Sequence, residues 1–399
     1  MLNRFLVTLS AVMLHLGVGS VYAWSVLVKP IMEHTGFTYS SVATVFSITI
    51  LFLGLSAAFL GKTVRKYGPR ISCTVSLALF ALGSVLSGIA IDCANEYLLY
   101  LSYGVIVGIA TGIAYLVPIP ILMTWYPQHK GFATGIVVMG FGLSSTFAAM
   151  VYYLIIEHYS VVYSIIGMGL ISCLLMAPSI AWLKPMVAED EPTEEKTPVV
   201  ERSEAVCNSN FLLLWLVFFV NIFVGISILS ALSPMITDTF VDITVYDAAQ
   251  FVGFIAIING ISRCIWSSIS DLIGRPLTFG VMLILELASL ICMIYYFDYF
   301  VFKACIVVLM SCYGGMFATM PGYLADLFGV EKLSDTLGVM LSAWGVAGLI
   351  GPKFLAIIYE HTGLYSDFFF VSTFMMILSN FLNFVLVERN LKILGGKLN

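Results

Sequence analysis

Charge is scarce in this sequence. Only 10% of its 399 residues are Asp, Glu, Lys or Arg, against about a quarter in a soluble globular domain. A soluble enzyme, a nucleic-acid-binding domain and a disordered chain all need more polar surface, so all three are excluded. A basic excess is missing too. The net charge is −5, which leaves nothing to attract a nucleic acid. No P-loop, dinucleotide-binding glycine pattern, HExxH, GxSxG or Cys/His cluster is present. ATP drive, cofactor and metal are therefore not expected. The eight cysteines form no CxxC and fall mostly in apolar stretches, where a thiol acts as a small apolar residue.

Long apolar runs are abundant. Sixty per cent of the chain is apolar, and mean hydropathy is +1.01. A helical span takes about 20 residues, so there is room for about twelve. Twelve runs are read at 5–28, 41–61, 71–91, 97–124, 131–156, 162–183, 211–233, 248–269, 277–297, 300–322, 336–358 and 366–387. Continuous apolar runs exclude a β-barrel, whose strands alternate. They require helices, which satisfy every backbone group inside lipid. The expected fold class is an all-α polytopic membrane protein. The one long polar stretch, 184–210, is acidic and divides the runs six against six. The expected organisation is a six-helix half over 1–183, a cytoplasmic linker and a second half over 211–399.

The few cations set the orientation. With the N-terminus inside, 14 of the 18 Lys and Arg residues fall on that side and only Lys29 and Lys303 on the other. Cytoplasmic loops carry such an excess, so both termini and the linker are expected in the cytoplasm of a cell-membrane protein. The halves also repeat weakly. A shift of 206 places Gly68 on Gly274, and a shift of 203 places Pro118 on Pro321, Gly135 on Gly338 and Phe141 on Trp344. Repeated halves are the mark of alternating-access transporters.

Arg263 is the central functional residue of this reading. It lies eight residues before Asp271, about 12 Å from the inner boundary at 1.5 Å per residue. A guanidinium near the bilayer midplane costs at least about 2.5–3.5 kcal/mol, so it needs a wet cavity or a partner. Its planar fork suits a carboxylate. The alternative is an arginine tied to a backbone carbonyl or a fixed acid, but one turn away stands Asn259. His15 shares a helix face with Tyr22 and is the candidate for proton coupling. A lone buried histidine more commonly bonds a carbonyl. Glu286, in the middle of run 9, is a weaker proton candidate, with an interhelical hydrogen bond as the simpler reading. Lys353 is nine residues from Trp344, half a turn out of phase, and is expected to reach for the outer interface. Trp24, Trp125 and Trp266 read as interface anchors. Pro118 and Pro120 are expected to kink span 4.

After runs 2 and 8 the sequence carries Gly61–Arg70 and Ser267–Arg275. The Gly-x3-Asp-x2-Gly-Arg pattern there resembles the major facilitator superfamily, MFS. Gly68 and Arg70 stand in the first copy, and Asp271, Gly274 and Arg275 in the second, as the gating motif. The first copy has Arg65 where the family has Asp. Four further segments resemble the oxalate:formate antiporter family: Tyr22-Ala-Trp-Ser25 with Lys29-Pro30, Trp125–Gly131 running on to Gly142, Asn259–Arg263 with Trp266, and Ala325–Gly329 with Ala343–Gly345 and Gly351-Pro352. The resemblance implies that Arg263 grips substrate and that Tyr22, Tyr115, Phe141, Tyr313, Phe317 and Trp344 line its cavity. It also implies a second cation in span 11, where this chain has Trp344. One cation in an aromatic cavity fits a monocarboxylate such as lactate, pyruvate or formate better than oxalate. The function expected is secondary active transport of a small organic anion, as anion exchange or proton symport, by a monomer in the lipid bilayer. The alternative is a transporter-like sensor that binds without translocating. An intramembrane enzyme would need paired catalytic groups that the sequence does not supply.

Overall fold

A computed structural model describes residues 2–126, 130–184, 208–240, 242–296, 298–328 and 333–395. Among these residues there is no strand. Twelve helices are long and apolar enough to cross a membrane: α1 (Asn3–Val26), α2 (Tyr39–Phe59), α3 (Lys66–Asp92), α4 (Glu96–Leu116), α5 (Gly135–His158), α6 (Val161–Trp182), α7 (Ser209–Thr239), α8 (Val245–Ile273), α9 (Arg275–Tyr295), α10 (Tyr299–Phe328), α11 (Thr336–Thr362) and α12 (Ser366–Arg389). Each matches one expected run. Nearly all of the expected linker, 185–207, lies outside the described residues.

Local sequence explains where the helices depart from ideal geometry. α1 tightens to a 3-10 helix over Gly19–Val26, where the absent Cβ of Gly19 lets the Phe141 carbonyl and Ser144 of α5 approach. α4 opens into a π-helix over Tyr100–Val107. Past its end, Pro118 opens a separate helix, Pro118–Trp125, because proline lacks the N–H needed to continue the turn. Span 4 thus breaks where its prolines predict. Leu364, Phe374, Phe381 and Phe384 are exposed on α12 and its approach, as a lipid-facing surface requires.

The internal repeat is visible in the backbone. Gly68 has φ 77° and ψ 171°, and Gly274 has φ 87° and ψ 150°. Both stand where a helix restarts, in a region that only glycine enters freely. The helices α1–α6 and α7–α12 meet most extensively along two crossings, α2 on α11 and α5 on α8. Each crossing is made by a glycine pair. A Cβ on Gly54 would lie 2.8 Å from the Gly345 Cα, and one on Gly142 would lie 3.1 Å from the Gly260 Cα. These glycines are repeat mates: Gly54 and Gly260 differ by 206, Gly142 and Gly345 by 203.

One end of the bundle is clasped shut. Lys29 forms an ion pair with Asp238. Asp238 also accepts hydrogen bonds from the hydroxyls of Tyr359 (3.1 Å) and Tyr365 (3.3 Å). Ser40 N–H donates to Glu360 at 2.6 Å, and Tyr39 packs edge-on against Tyr359. These contacts join the segment that follows α1 and the start of α2 to the ends of α7 and α11. Burial holds the Tyr365 phenol far above its ordinary range, so it stays a donor. The ion pairs near the other end, Arg275 with Asp271 (2.6 Å) and with Asp326 (3.6 Å), stay within α8–α10.

The tryptophans correct one expectation. Trp24 is not an interface anchor. It is fully buried, packs on Tyr103 at 4.5 Å and donates to the Val42 carbonyl. The short helix Val28–Thr35 extends the bundle beyond it. Trp125 and Trp266 are partly buried, with their N–H groups on Lys184 O and Ser311 Oγ.

Candidate functional site

Arg263 is 2% exposed. No carboxylate of a described residue lies within ion-pair distance of it. Its local partner is neutral: Nη2 and Nε donate to Asn259 Oδ1 at 3.1 and 3.4 Å. Asn259 in turn donates to the Met310 carbonyl of α10 at 3.1 Å. The i, i+4 spacing on α8 places the amide beside the guanidinium, and the bond to α10 fixes the amide. Glycine makes this packing possible, since a side chain at Gly314 would collide with the Asn259 carbonyl and Ser262. Two of the five guanidinium donors are directed at one oxygen, so the fork keeps unused donors. A buried cation without a counter-charge is costly, and the arrangement is ready for an anion.

Aromatic rings surround it. The Arg263 Cζ lies 5.6 Å from the Phe317 ring centre, within cation–π range. Phe317 packs edge-on against Trp344 (5.0 Å) and against Tyr313 (5.3 Å). Trp344 meets Tyr115 at 5.5 Å and its repeat mate Phe141 at 6.3 Å. Tyr22 packs on Phe141 at 5.0 Å, and its hydroxyl lies 3.0 Å from that of Tyr313. The structure therefore gathers all seven residues expected at the site: Tyr22, Tyr115 and Phe141 from α1, α4 and α5, and Arg263, Tyr313, Phe317 and Trp344 from α8, α10 and α11. The Trp344 Nε1–H is buried without a hydrogen-bond partner. The Tyr313 hydroxyl of the same cluster is its neighbour.

The proton candidates separate. His15 joins the cluster, stacked on Tyr115 with ring centres 5.2 Å apart. Glu286 stands outside it. Its Oε1 accepts from Asn221 Nδ2 of α7 at 2.5 Å, the interhelical bond expected as the simpler reading. Glu286 Oε2 and Asn221 Oδ1 have no partner, and a single proton on the carboxyl is the donor that such a pair lacks. Lys353 is exposed on the side of α11 away from Trp344, which is 1% exposed.

The residues of the expected gating motif also differ between the repeats. Arg275 bonds Asp271, Asp326 and Ser270, tying the junction of α8 and α9 to α10. The missing side chain of Gly322 gives its guanidinium room. Gly68 has the same backbone role, but Arg70 is exposed and pairs with no carboxylate of a described residue. The residues the sequence reading did not single out as functional are Asn259 and Asn221, whose amides bond the buried side chains of Arg263 and Glu286.

Comparisons with known proteins agree with this architecture. The bacterial homologue of the human lysosomal transporter Spinster, in its inward-facing and occupied conformation, superposes with a TM-score of 0.75 over 97% of both chains at 14% identity, which speaks to fold alone. The oxalate:formate antiporter of Oxalobacter formigenes is 24% identical over 90% of this chain and 86% of its own. The uncharacterized MFS-type transporter YhjX of Escherichia coli is 24% identical over 87% of this chain and 86% of its own. Monocarboxylate transporter 12-B of Danio rerio is 25% identical over 88% of this chain and 80% of its own. The sequence profile of the Major Facilitator Superfamily matches residues 7–352 and 252–394, and the chain belongs to that family of membrane transporters.

Proposed function

We propose that the protein is a secondary active transporter of a small organic monoanion, held by Arg263 between the two helix sets and carried by alternating access. The observation that supports this is the buried Arg263 guanidinium, which has a neutral amide and an aromatic ring as neighbours and no carboxylate among the described residues. An anion supplies the missing charge, and its carboxylate matches the guanidinium fork. The rings packed around the guanidinium exclude water from it.

A monocarboxylate such as lactate, pyruvate or formate fits better than oxalate. Position 344 is a neutral indole, so a second carboxylate would be buried against a donor of no charge. The names of the relatives, an oxalate:formate antiporter and monocarboxylate transporters, belong to the same chemical class. Empty, the charged Arg263 resists closure of the cavity. Loaded, it is neutralised and the halves close around it, which favours coupled movement over leak. The cation bias puts the Arg275 end in the cytoplasm of a cell membrane and the Lys29 end outside.

Counterflow in proteoliposomes tests the reading. Labelled lactate, pyruvate or formate is expected to accumulate against an unlabelled internal pool, and Arg263→Ala to abolish this. Normal counterflow by Arg263→Ala, or faster oxalate than monocarboxylate exchange, would overturn it. Ligand-induced stabilisation without counterflow would mark a sensor instead.

A further inference from the structure

We infer that Glu286 is a proton-binding site that seats α7 against α9 and gives up its proton when α7 moves away. It is separate from the anion site, and neither reading requires the other. Glu286 lies in the middle of α9 and is 2% exposed, and Asn221 of α7 is fully buried. Asn221 Nδ2 donates to Glu286 Oε1, which leaves Glu286 Oε2 and Asn221 Oδ1 buried with no partner. Both unpaired atoms are oxygens. An ionised carboxylate only accepts, and so does the amide oxygen, so neither can satisfy the other. One proton on Glu286 changes this. The acid O–H donates to the amide oxygen while its other oxygen keeps the amide N–H, and a single proton completes both groups.

The surroundings supply no counter-charge. α7 offers the Asn221 amide, and α10 presents the buried Cys312 thiol. α12 brings the Asn380 amide, which is bonded one turn away to the Leu283 carbonyl, and Asn383, which stands beside Gly280. α8 meets the start of α9 at the Asp271–Arg275 pair, about three turns from Glu286. No Lys, Arg or His of a described residue pairs with Glu286. A carboxylate here would be a buried charge without compensation, whereas the neutral acid is a satisfied polar group.

The consequence falls on α7. Phe218, Asn221 and Gly225 share one of its faces at helical spacing. Phe218 packs on Phe317 at 5.1 Å, and the missing side chain of Gly225 admits the Tyr313 ring. Asp238 of the clasp lies on the same helix, about 25 Å beyond Asn221 at 1.5 Å per residue. Loss of the proton leaves a charge that only water can solvate, and α7 has to part from α9 to admit it. The proton passes to that water, the negative charge stays on Glu286, and the clasp loses its seat on α7. The acid therefore belongs to the described conformation, with the clasp shut, and the carboxylate to one in which α7 is displaced. A ligand held by one of two states favours that state. For one proton the balance shifts by at most about tenfold per pH unit.

Infrared spectra of the purified full-length protein test the protonation directly. At neutral pH wild type is expected to show the carbonyl stretch of a buried, protonated carboxyl, and Glu286→Gln to lack it. The glutamine offers an N–H to Asn221 Oδ1 and an oxygen to Asn221 Nδ2, so it copies the protonated acid at every pH. Spin labels at Glu33 and Leu364 read the clasp. In wild type the closed population is expected to fall as pH rises across roughly pH 6 to 9, and in Glu286→Gln to stay high. A pH response that the variant keeps belongs to groups at the clasp itself, such as the exposed His34 and His361. Absence of a protonated-carboxyl band from wild type at neutral pH overturns the inference without any variant. The same band in both proteins, or the same pH response of the clasp in both, overturns it as well.

Discussion

Lys29 and Asp238 come from opposite helix sets and meet in an ion pair at one end of the bundle, where Asp238 also receives the hydroxyls of Tyr359 and Tyr365. An isolated pair at this exposure contributes little, but the two phenol donors make it a network. Asp238→Asn is expected to weaken closure of this end by about 1–2 kcal/mol, a roughly five- to thirtyfold shift toward the open form. Lys29→Asp should do the same. The double reversal, Lys29→Asp with Asp238→Lys, restores the charge pair but leaves the tyrosines without an acceptor, so rescue is partial. Spin labels at Glu33 and Leu364 report the distance across the clasp. An unchanged distance distribution in Asp238→Asn would show that packing alone holds this end shut.

Asn259→Asp separates charge from shape at the site. The amide oxygen already accepts from Arg263, so an aspartate there forms a buried salt bridge with almost no change in volume. It loses the donor to Met310, at a cost of about 1–3 kcal/mol. The new carboxylate occupies the guanidinium permanently. Carboxylate-dependent stabilisation and counterflow are both expected to disappear while the protein still folds. Asn259→Ala should instead keep weak binding, because it frees the guanidinium without neutralising it. If Asn259→Asp binds carboxylates as wild type does, Arg263 is not the anion site.

The glycine crossings predict a steric test of rocking. At Gly142 the nearest atom to an added Cβ is the Gly260 Cα at 3.1 Å, and backbone cannot rotate away as a side chain can. Gly142→Val is expected to destabilise the described conformation by about 1–3 kcal/mol through overpacking. Gly54→Val should act similarly at the α2–α11 crossing, where the Gly345 Cα is closer still. Gly61→Ala is the control, with nothing within 4 Å of its added Cβ and an expected change within about 0.5 kcal/mol. Differential scanning fluorimetry checks all three. Equal melting temperatures for Gly142→Val and Gly61→Ala would remove the argument.

How far the sequence carried depended on the kind of signal. Arg263 was legible because a cation inside an apolar run is conspicuous whatever surrounds it. The phase of α11 was legible as well: half a helical turn separates the buried Trp344 from the exposed Lys353. Span edges were less sharp. α7 continues to Thr239 and α10 to Phe328, several residues past the apolar runs, because hydropathy ends at the lipid and helical hydrogen bonding does not. Asn259 and Asn221 were illegible as functional residues. A neutral amide costs less to bury than a charge and so stands out less in an apolar run, and the partners that give these two a role, Met310 and Glu286, lie 51 and 65 residues away. Trp24 was misread because position near the end of a run was taken for depth in the membrane, whereas α1 is still surrounded there by α2 and α4.

Trp344→Lys tests whether position 344 sets the charge of the substrate. In wild type the indole N–H is a buried donor beside the Tyr313 hydroxyl, with Phe317 and Tyr115 packed on the ring. A lysine there places a second buried cation in the cluster with Arg263 and removes an aromatic wall. Without ligand the variant is expected to be less stable by about 3–5 kcal/mol, since an uncompensated buried charge and a lost large ring act together. A dianion bridging both cations should recover much of that loss, while a monoanion recovers little. Oxalate is therefore expected to raise the melting temperature of Trp344→Lys more than lactate or formate does, reversing the wild-type order. Thermal melts with each anion at equal concentration and ionic strength decide the matter. If lactate and oxalate keep their wild-type order in the variant, the residue at 344 does not select between one and two carboxylates.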